Sequence, residues 1–460
     1  MSPAIDLPRV LPPRTRRDGV CPALAAALLA LAALCLGCGG AAPPARSPTE
    51  RAADAAPAVA ALAASRFDQA ATLAEETLAR DGGNARAAVV RAITRYQAAG
   101  KRLATELEAA TDAARGLGHL DHEAGRAAWQ HFADALAAVD GELAVAANAA
   151  DFSLELCLAC WEHDWNQSGE VDDRDRRLFE LEYDGQDEQA GQDEQAGQDD
   201  GRAGRRTGTR RLEAGDPRRR PTFRFDTGDA EWARAMVAFQ RAAMELLLAY
   251  RWAELDRLPM VFGRRGSLEK FIIPLGDAGR VRRAHRLILE GLTHADRCRA
   301  AYLAETDDDR EWVPNPRQRS YAMPLAVDQA LYQTWADILG DVRRMLRSEE
   351  GLSLRALAGL MDDELPALLP DAYLDLGALL REPTTVTLDL VRLEQLDHAG
   401  KDKAKLQPLL EALLRGVLGS GYAAKMKPSP LPSRLARIQR ELDLGGDTLE
   451  RKLRYLIWLN

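Results

Sequence analysis

Residues 232–250 read WARAMVAFQRAAMELLLAY, and their larger side chains recur at intervals of three or four positions. This spacing places side chains on one face of an α-helix, where they can pack against a protein core. The residues on this predicted face are Trp232, Met236, Phe239, Ala243, Leu247 and Tyr250. The stretches 331–345 and 406–417 show the same spacing. We therefore expect three strong helices whose apolar faces lie in the core.

The composition extends this expectation to the whole chain. Ala, Leu and Arg dominate the 460 residues, whereas aromatic residues make up 6%, and this balance favours helices over strands. The strand-like stretch TTVTL at 384–388 is too isolated to build a sheet. We predict an all-α protein with helical hairpins in its N-terminal part and a helical domain of unknown function over residues 222–460.

The charge balance argues against one class of partner. Lys and Arg total 61 against 70 Asp and Glu, which gives a formal net charge of −9. Proteins that bind nucleic acids usually carry an excess of basic residues. We therefore expect no nucleic-acid partner. The sequence also lacks the motifs of phosphate-binding loops, serine hydrolases and zinc metalloproteases.

The N-terminus has the organisation of an export signal. A segment containing Arg9, Arg14, Arg16 and Arg17 precedes an uncharged Ala/Leu-rich run over 20–36, which is too short for a comfortable membrane span. The run ends in Cys35-Leu36-Gly37-Cys38, which resembles the lipobox of bacterial lipoproteins at Gly37 and Cys38. The family usually has Leu and a small residue where this chain has Cys35 and Leu36.

The lipobox resemblance implies a signal peptide over 1–37 and lipidation of Cys38. The protein would then be exported and held on a membrane of the bacterial cell envelope, at the outer membrane or in the periplasm. The alternatives are a plain secretory signal cleaved near 40–42 and an uncleaved anchor. The stretch 38–56 is rich in Pro, Ala and charged residues, which predicts a flexible tether.

Residues 57–150 are predicted to be helical, with a break at 81–84. The order of apolar and small residues resembles one tetratricopeptide repeat, in which Phe67, Ala70, Leu73, Leu78, Asn84 and Ala87 would occupy repeat positions. Three clean copies are not present, so ordinary helical hairpins are the alternative. A true repeat would imply a role in binding a protein partner.

Residues 164–175 read DWNQSGEVDDRD and match the twelve-position EF-hand loop. Gly169 occupies the sixth position, where the loop must turn sharply. The predicted ligands are the side chains of Asp164, Asn166, Ser168, Asp172 and Asp175 and the backbone carbonyl of Glu170. We expect a helix over 152–162 to enter the loop and a helix over 173–183 to leave it, so that 151–183 form a helix–loop–helix unit.

The ligand set resembles the dockerin type of this loop, which is common in exported bacterial proteins, because Asp175 closes it where EF-hands use Glu. No second loop is present: 226–231 and 397–402 lack glycine at the sixth position, so docking to a cohesin is not implied. Three carboxylates and a short closing side chain predict weak Ca²⁺ binding, at roughly 10⁻⁴–10⁻³ M, with Mg²⁺ as a possible competitor. The alternative is an acidic turn that binds no ion.

The remaining chemical candidates favour structural interpretations. Cys157 and Cys160 lie in a stretch predicted to be helical and are expected to be buried thiols rather than a redox pair or, with His163, a metal site. His119, His122 and His131 are expected at turns or on the surface. Residues 184–221 contain GQDEQA twice, followed by an Arg-rich stretch, which predicts a solvated linker.

These observations lead to one functional expectation with two alternatives. We expect an exported, lipid-anchored, calcium-binding protein whose role is structural or partner-binding rather than catalytic. The first alternative is an enzyme with an unrecognised active site in 222–460, near Glu231, His285 or Asp309. The second is an interaction module built from the N-terminal helices.

Overall fold

The predicted fold class is confirmed by the computed structural model, whose described part contains thirteen α-helices joined by short strands and 3₁₀ turns. The described residues are 46–117, 121–165, 168–182, 212–257, 269–308, 310–319, 328–359, 365–399 and 403–441. The predicted signal peptide, Cys38, Asn166 and Asp309 lie outside these ranges.

The helices are α1 Pro48–Ala63, α2 Phe67–Arg80, α3 Ala85–Leu117, α4 His122–Ala147, α5 Asp173–Arg177, α6 Thr227–Ala249, α7 Ala278–Ala304, α8 Gln329–Leu346, α9 Leu354–Ala358, α10 Leu376–Arg381, α11 Leu390–Ala399, α12 Lys403–Leu418 and α13 Leu431–Glu441. The strands are β1 Leu154–Leu156, β2 Phe223–Phe225, β3 Lys270–Ile273, β4 Leu352–Ser353, β5 Tyr373–Leu374, β6 Val386–Asp389 and β7 Tyr422–Ala423. None of the described helices is both long enough and apolar enough to cross a membrane.

Helices α1 to α4 pack in sequence around an Ala-rich core, as the prediction for 57–150 requires. The predicted break at 81–84 is present and is held by side chains. Asn84 donates from its amide to the carbonyl of Arg51 at 2.8 Å, and the Arg51 guanidinium pairs with Asp81 at 3.0 Å. The four helices have 16, 14, 33 and 26 residues, so they are not uniform copies of one helix pair. Repeat character stays a prediction.

The tether prediction is wrong at its C-terminal end. Helix α1 begins at Pro48, and Ala55 is fully buried within the core. Alanine has the highest helix propensity and a small side chain, so an Ala-rich segment can pack closely once a neighbouring helix covers it. Residues 38–45 of the predicted tether lie outside the described part.

Helix α6 contains the stretch with the strong helical pattern and lies between two cores. Ala230 and Val237 pack with α4 residues, whereas Ala235 and Ala249 pack with α7 and α8. A helix that is buried on both sides needs small apolar residues around most of its circumference. The predicted apolar face is therefore only partly correct, since Ala243 and Leu247 are exposed.

Three small antiparallel sheets complete the described fold. β1 pairs with β2, β3 pairs with β6, and β4, β5 and β7 form a sheet in the order β4-β5-β7. The strand-like stretch at 384–388 overlaps β6, where Phe271 pairs with Leu388. That stretch is thus not isolated, because its partner lies more than a hundred residues earlier in the chain.

The predicted helix over 152–162 is not formed. Leu154 and Leu156 are buried while Glu155 is exposed, and this alternation pairs them with Phe225 and Phe223 across the β1–β2 ladder. A 3₁₀ turn follows, and a disulfide joins Cys157 to Cys160. The expectation of two free thiols in a helix was therefore wrong. An alternating pattern of three residues inside an apolar run is too short to distinguish a strand from a helix.

The end of the predicted linker also folds back onto the protein. Leu212 is buried, and its N–H donates to the carbonyl of Glu182 at 2.8 Å. Arg219 and Arg220 each pair with Glu180 at 2.9 Å. The C-terminal part of the Arg-rich stretch is thus held against the residues that precede the linker, whereas 183–211 lie outside the described part.

Candidate functional site

The turn of the predicted cation loop is built around its first residue. The Asp164 carboxylate accepts N–H groups from Ser168 at 2.9 Å and Gly169 at 2.7 Å. Gly169 has a φ of +96°, a conformation that side chains disfavour. The sixth position therefore makes the turn that the sequence predicts, and the turn places the first carboxylate against the backbone of positions five and six.

The last residue of the loop joins its two ends. Asp175 is 3% exposed, and its carboxylate accepts the N–H of Trp165 at 2.9 Å and that of Asp172 at 3.0 Å. Asp172 caps α5 by accepting from Arg174 at 2.7 Å and from Asp175 at 3.1 Å. Positions two, nine and twelve are thus fixed by a capping box at the start of a helix. This helix has five residues, shorter than the predicted one over 173–183.

The donor atoms suit a hard cation by type. Carboxylate, hydroxyl and carbonyl oxygens are the ligands that Ca²⁺ and Mg²⁺ prefer. In the described conformation, however, the Ser168 hydroxyl donates to the carbonyl of Glu170 at 2.9 Å, and the carboxylates accept loop N–H groups. Among the described residues, no three His, Cys, Asp or Glu side chains are grouped closely enough to hold a metal ion.

The loop begins on an aromatic cluster made by Phe67, Trp161, His163, Trp165 and Phe179. Ring centroids lie 4.8 Å apart for Phe67 and His163, 4.7 Å for His163 and Trp165, and 5.2 Å for Trp165 and Phe179. The cluster connects the first turn of α2 to both sides of the loop. Burial, followed by the charge of Lys101, lowers the pKa of His163, so the neutral imidazole is favoured.

A cavity of about 600 Å³ lies beside this aromatic cluster. Its walls come from α3, α4, α6 and the segment that leads into the loop. They include Val89, Ile93, Leu143, Leu156, Trp161 and Val237. Asp164 and Trp165 line it as well, so the loop and the cavity share a wall. Sequence reasoning missed this space because its walls come from elements far apart in the chain.

A buried acidic cluster at the start of α6 was also missed. Burial raises the pKa of Asp229 well above its usual range, and the Tyr302 hydroxyl donates to its carboxylate at 2.7 Å. Burial, together with the Asp226 carboxylate, raises the pKa of Glu305 to about 9. Glu311 is buried nearby and adds to both shifts. Glu305 therefore keeps its proton near neutral pH, and the pKa of Asp229 is shifted in the same direction, which does not suit a cation site.

The residues named for an enzymatic alternative are engaged separately. Glu231 pairs with His294, and its second oxygen lies 3.7 Å from the guanidinium of Arg297. His285 donates from Nε2 to the carbonyl of Leu346 at 3.0 Å. Asp309 lies outside the described residues. The two described candidates thus have different partners.

Of the histidines singled out in the sequence, one lies in a surface ion-pair network and one begins a helix. His131 lies 2.8 Å from Arg102 and 3.1 Å from Glu106 on an exposed face. His122 begins α4, and His119 lies outside the described residues. The geometry at His131 is that of a surface ion-pair network.

Similarity to known proteins gives no evidence on the function of this chain. No protein-family model, curated protein or solved structure matches the chain.

Proposed function

We propose that this protein is an exported, lipid-anchored, calcium-binding protein with a structural or partner-binding role rather than a catalytic one. Export is supported by the signal-like N-terminus and by the disulfide between Cys157 and Cys160, since disulfides form mainly in oxidising compartments. Its anchor would be the lipid on Cys38, and its location the bacterial cell envelope. A protein would then be its macromolecular partner, rather than a nucleic acid.

The observation that supports calcium binding best is the conformation of the described residues of the loop, 164–165 and 168–175. The positive φ of Gly169, the Asp164 carboxylate inside the turn and the Asp175 carboxylate between the loop ends are what a twelve-residue cation loop needs. A bound Ca²⁺ would draw these carboxylates and the Glu170 carbonyl toward one point. The Ser168 hydroxyl would then rotate away from that carbonyl.

The ion would hold the end of the disulfide-closed segment against α5. Since β1 and a 3₁₀ turn precede the loop, calcium would fix the aromatic residues around 161–165 rather than the angle between two long helices. A weak site, at roughly 10⁻⁴–10⁻³ M, fits an environment in which calcium is abundant. Mg²⁺ would compete if Asp175 binds through one oxygen.

Terbium luminescence tests the site directly, because Trp165 lies in the loop and Trp161 lies close to it. We expect saturable emission from the wild-type chain that millimolar Ca²⁺ displaces. Asp164→Asn removes a ligand charge and should abolish the emission. Asp173→Asn is the matched control, since the Asp173 side chain is 78% exposed and pairs with Arg176 and Arg177. Equal emission from both variants would contradict the proposal.

The anchor is tested by Cys38→Ser in a bacterial host. We expect the wild-type protein in the membrane fraction and the variant in the soluble periplasmic fraction, with Cys35→Ser as the control that stays membrane-bound. Membrane association of Cys38→Ser equal to that of the wild type would overturn the lipid anchor and leave calcium binding untouched.

A further inference from the structure

The cavity beside the loop measures about 600 Å³ and is partly open to solvent. Small-molecule sites span roughly 300–1,000 Å³ and have mainly apolar walls. Leu154, Leu156, Val139 and Val237 are nearly fully buried and line it. Its size and its walls are those of a ligand site.

Several polar side chains in the cavity wall bond to neighbouring protein groups, whereas the buried indole N–H groups of Trp161, Trp165 and Trp312 have no hydrogen-bond partner in the described part of the chain. The Gln240 amide donates to the Tyr96 hydroxyl at 3.2 Å, and the Gln97 amide lies 2.6 Å from His163 Nε2. Asp229 bonds to Tyr302. These three donors could meet a polar atom of a ligand, and the other walls are mainly apolar, where an unpartnered polar group is costly to bury. The walls favour a largely hydrocarbon occupant.

A second cleft, of about 860 Å³, adjoins the cavity and has a different character. Gln97, Lys101 and His163 line both spaces, so they mark where the two meet. The rest of the cleft is largely polar and charged, with side chains from the start of α2 and the middle of α3. A molecule that extends from the cavity into the cleft would pass from apolar walls to charged ones.

The cleft carries cationic side chains that are not neutralised. Arg66 and Lys101 make no ion pair or side-chain hydrogen bond with any other residue in the described part of the chain. Arg102 pairs with Glu106 at 2.7 Å, so Asp68 is the remaining carboxylate in the described lining of the cleft. Asp164 lies in the wall of the adjoining cavity, beside His163. The junction therefore favours an anionic head group.

We propose that the cavity binds the acyl chain of an amphiphile whose anionic head group lies in the cleft between Arg66 and Lys101. The hydrocarbon would contact the apolar walls of α3, α4 and α6. The head would carry a carboxylate, as in a fatty acid, or a phosphate, as in a lysophospholipid. This site is separate from the calcium loop in its donors and shares with it the wall formed by His163–Trp165.

The chain-length test uses the purified full chain and the emission of Trp161, Trp165 and Trp312, which line the cavity. Saturated fatty acids of increasing length are titrated below the concentrations at which they form micelles. We expect saturable binding that tightens about fourfold for each added methylene until the cavity is filled. Native mass spectrometry of the mixtures should show one bound molecule. No saturable binding at any length would overturn the proposal.

The cavity is tested by Ala233→Phe, which adds a large side chain to its wall on α6. We expect at least a tenfold loss of binding. Ala243→Phe is the matched control, since Ala243 is exposed on the same helix and does not line the cavity. Circular dichroism checks that both variants fold. If Ala233→Phe does not fold, the smaller substitution Ala233→Leu is used in its place. Full-strength binding by folded Ala233→Phe would contradict the assignment.

The head-group site is tested by the double substitution Arg66→Gln and Lys101→Gln. Each exposed pair contributes little, so we expect up to about a fivefold loss of fatty-acid affinity for each charge removed. Binding of the matching fatty alcohol should be unchanged, and Lys270→Gln, at an exposed lysine away from the cleft, should have no effect. Lysophosphatidate is titrated in parallel to separate the phosphate source from the carboxylate source. Wild-type binding of the alcohol as tight as that of the acid would overturn the anionic head group.

Discussion

Two helices in this protein begin with the same local motif, and the second aspartate of each is buried. At α5, Asp172 caps the helix and Asp175 accepts the N–H of Asp172 at 3.0 Å. At α6, Asp226 caps the helix and Asp229 accepts the N–H of Asp226 at 2.8 Å. The sequence of both motifs is Asp-x-x-Asp. The difference between them lies in what contacts the remaining oxygen of the second aspartate.

The second aspartate accepts a hydrogen bond from a backbone N–H at α5 and from a buried hydroxyl at α6. Asp175 accepts the N–H of Trp165 across the loop, whereas Asp229 accepts the hydroxyl of Tyr302. Burial, together with the neighbouring Asp226 carboxylate, raises the pKa of Asp229 well above its usual range. The same capping box thus lies beside a proposed ion site in one place and in a buried acidic cluster in the other.

Removing the buried side chain should give the largest effect. Asp229→Ala leaves the Tyr302 hydroxyl and the Asp226 N–H without their present acceptor in a buried place. We expect a loss of about 2–4 kcal/mol in the free energy of unfolding. Urea unfolding followed by circular dichroism measures it. A loss below about 1 kcal/mol would show that water or a neighbour replaces the carboxyl without cost.

Substitution by asparagine should separate the two aspartates. At 229 the amide can replace the carboxyl, because the Tyr302 hydroxyl can accept as well as donate, and we expect a cost below about 1 kcal/mol. At 175 both partners are N–H donors, so the amide NH₂ would face one of them, at a cost of about 1–3 kcal/mol. The same urea experiment compares Asp175→Asn with Asp229→Asn. Equal costs would mean that the hydrogen-bond partners at the two sites accept an amide equally well.

Calcium should stabilise the protein through one site alone. At ten times the dissociation constant, a ligand that binds the folded state contributes about 1.4 kcal/mol. We expect the thermal midpoint to rise with Ca²⁺ in the wild type and in Asp229→Asn but not in Asp164→Asn. Differential scanning calorimetry measures it. A rise in Asp164→Asn equal to that of the wild type would place calcium elsewhere.

Stability should also depend on pH through Glu305, which is partly exposed. Its pKa is raised from 4.5 to about 9 in the folded protein. Between these values the folded state keeps a proton that the unfolded chain releases, so the free energy of unfolding falls as the pH rises. Glu305→Gln should reduce that slope between pH 5 and pH 8, as measured by urea unfolding at several pH values. An unchanged slope would contradict the raised pKa.

The features that the sequence predicted correctly depend on residues close together in the chain. The period of α6, the break at 81–84 and the turn at Gly169 follow from spacing within a few residues. Gly169 in particular stands where a twelve-residue loop must turn, and its φ is positive. Local patterns of this kind arise from interactions between residues that are close in the chain, so they could be predicted without a structure.

The features that the sequence did not predict depend on distant partners. Leu154–Leu156 become a strand because Phe223–Phe225 pair with them. Asp229 differs from Asp175 because the hydroxyl of Tyr302, near the far end of another helix, and the carboxylate of Glu311 lie close to it. The cavity likewise needs α3, α4 and α6 to be packed before its walls exist. No pattern within a short window contains these contacts.

Calcium titration by isothermal calorimetry tests the central contrast most directly. The wild-type chain and Asp229→Asn should each bind one Ca²⁺ with a dissociation constant of roughly 10⁻⁴–10⁻³ M. Asp164→Asn should bind none. Absence of binding in the wild type, or binding that Asp164→Asn retains, would contradict the assignment of a cation to residues 164–175.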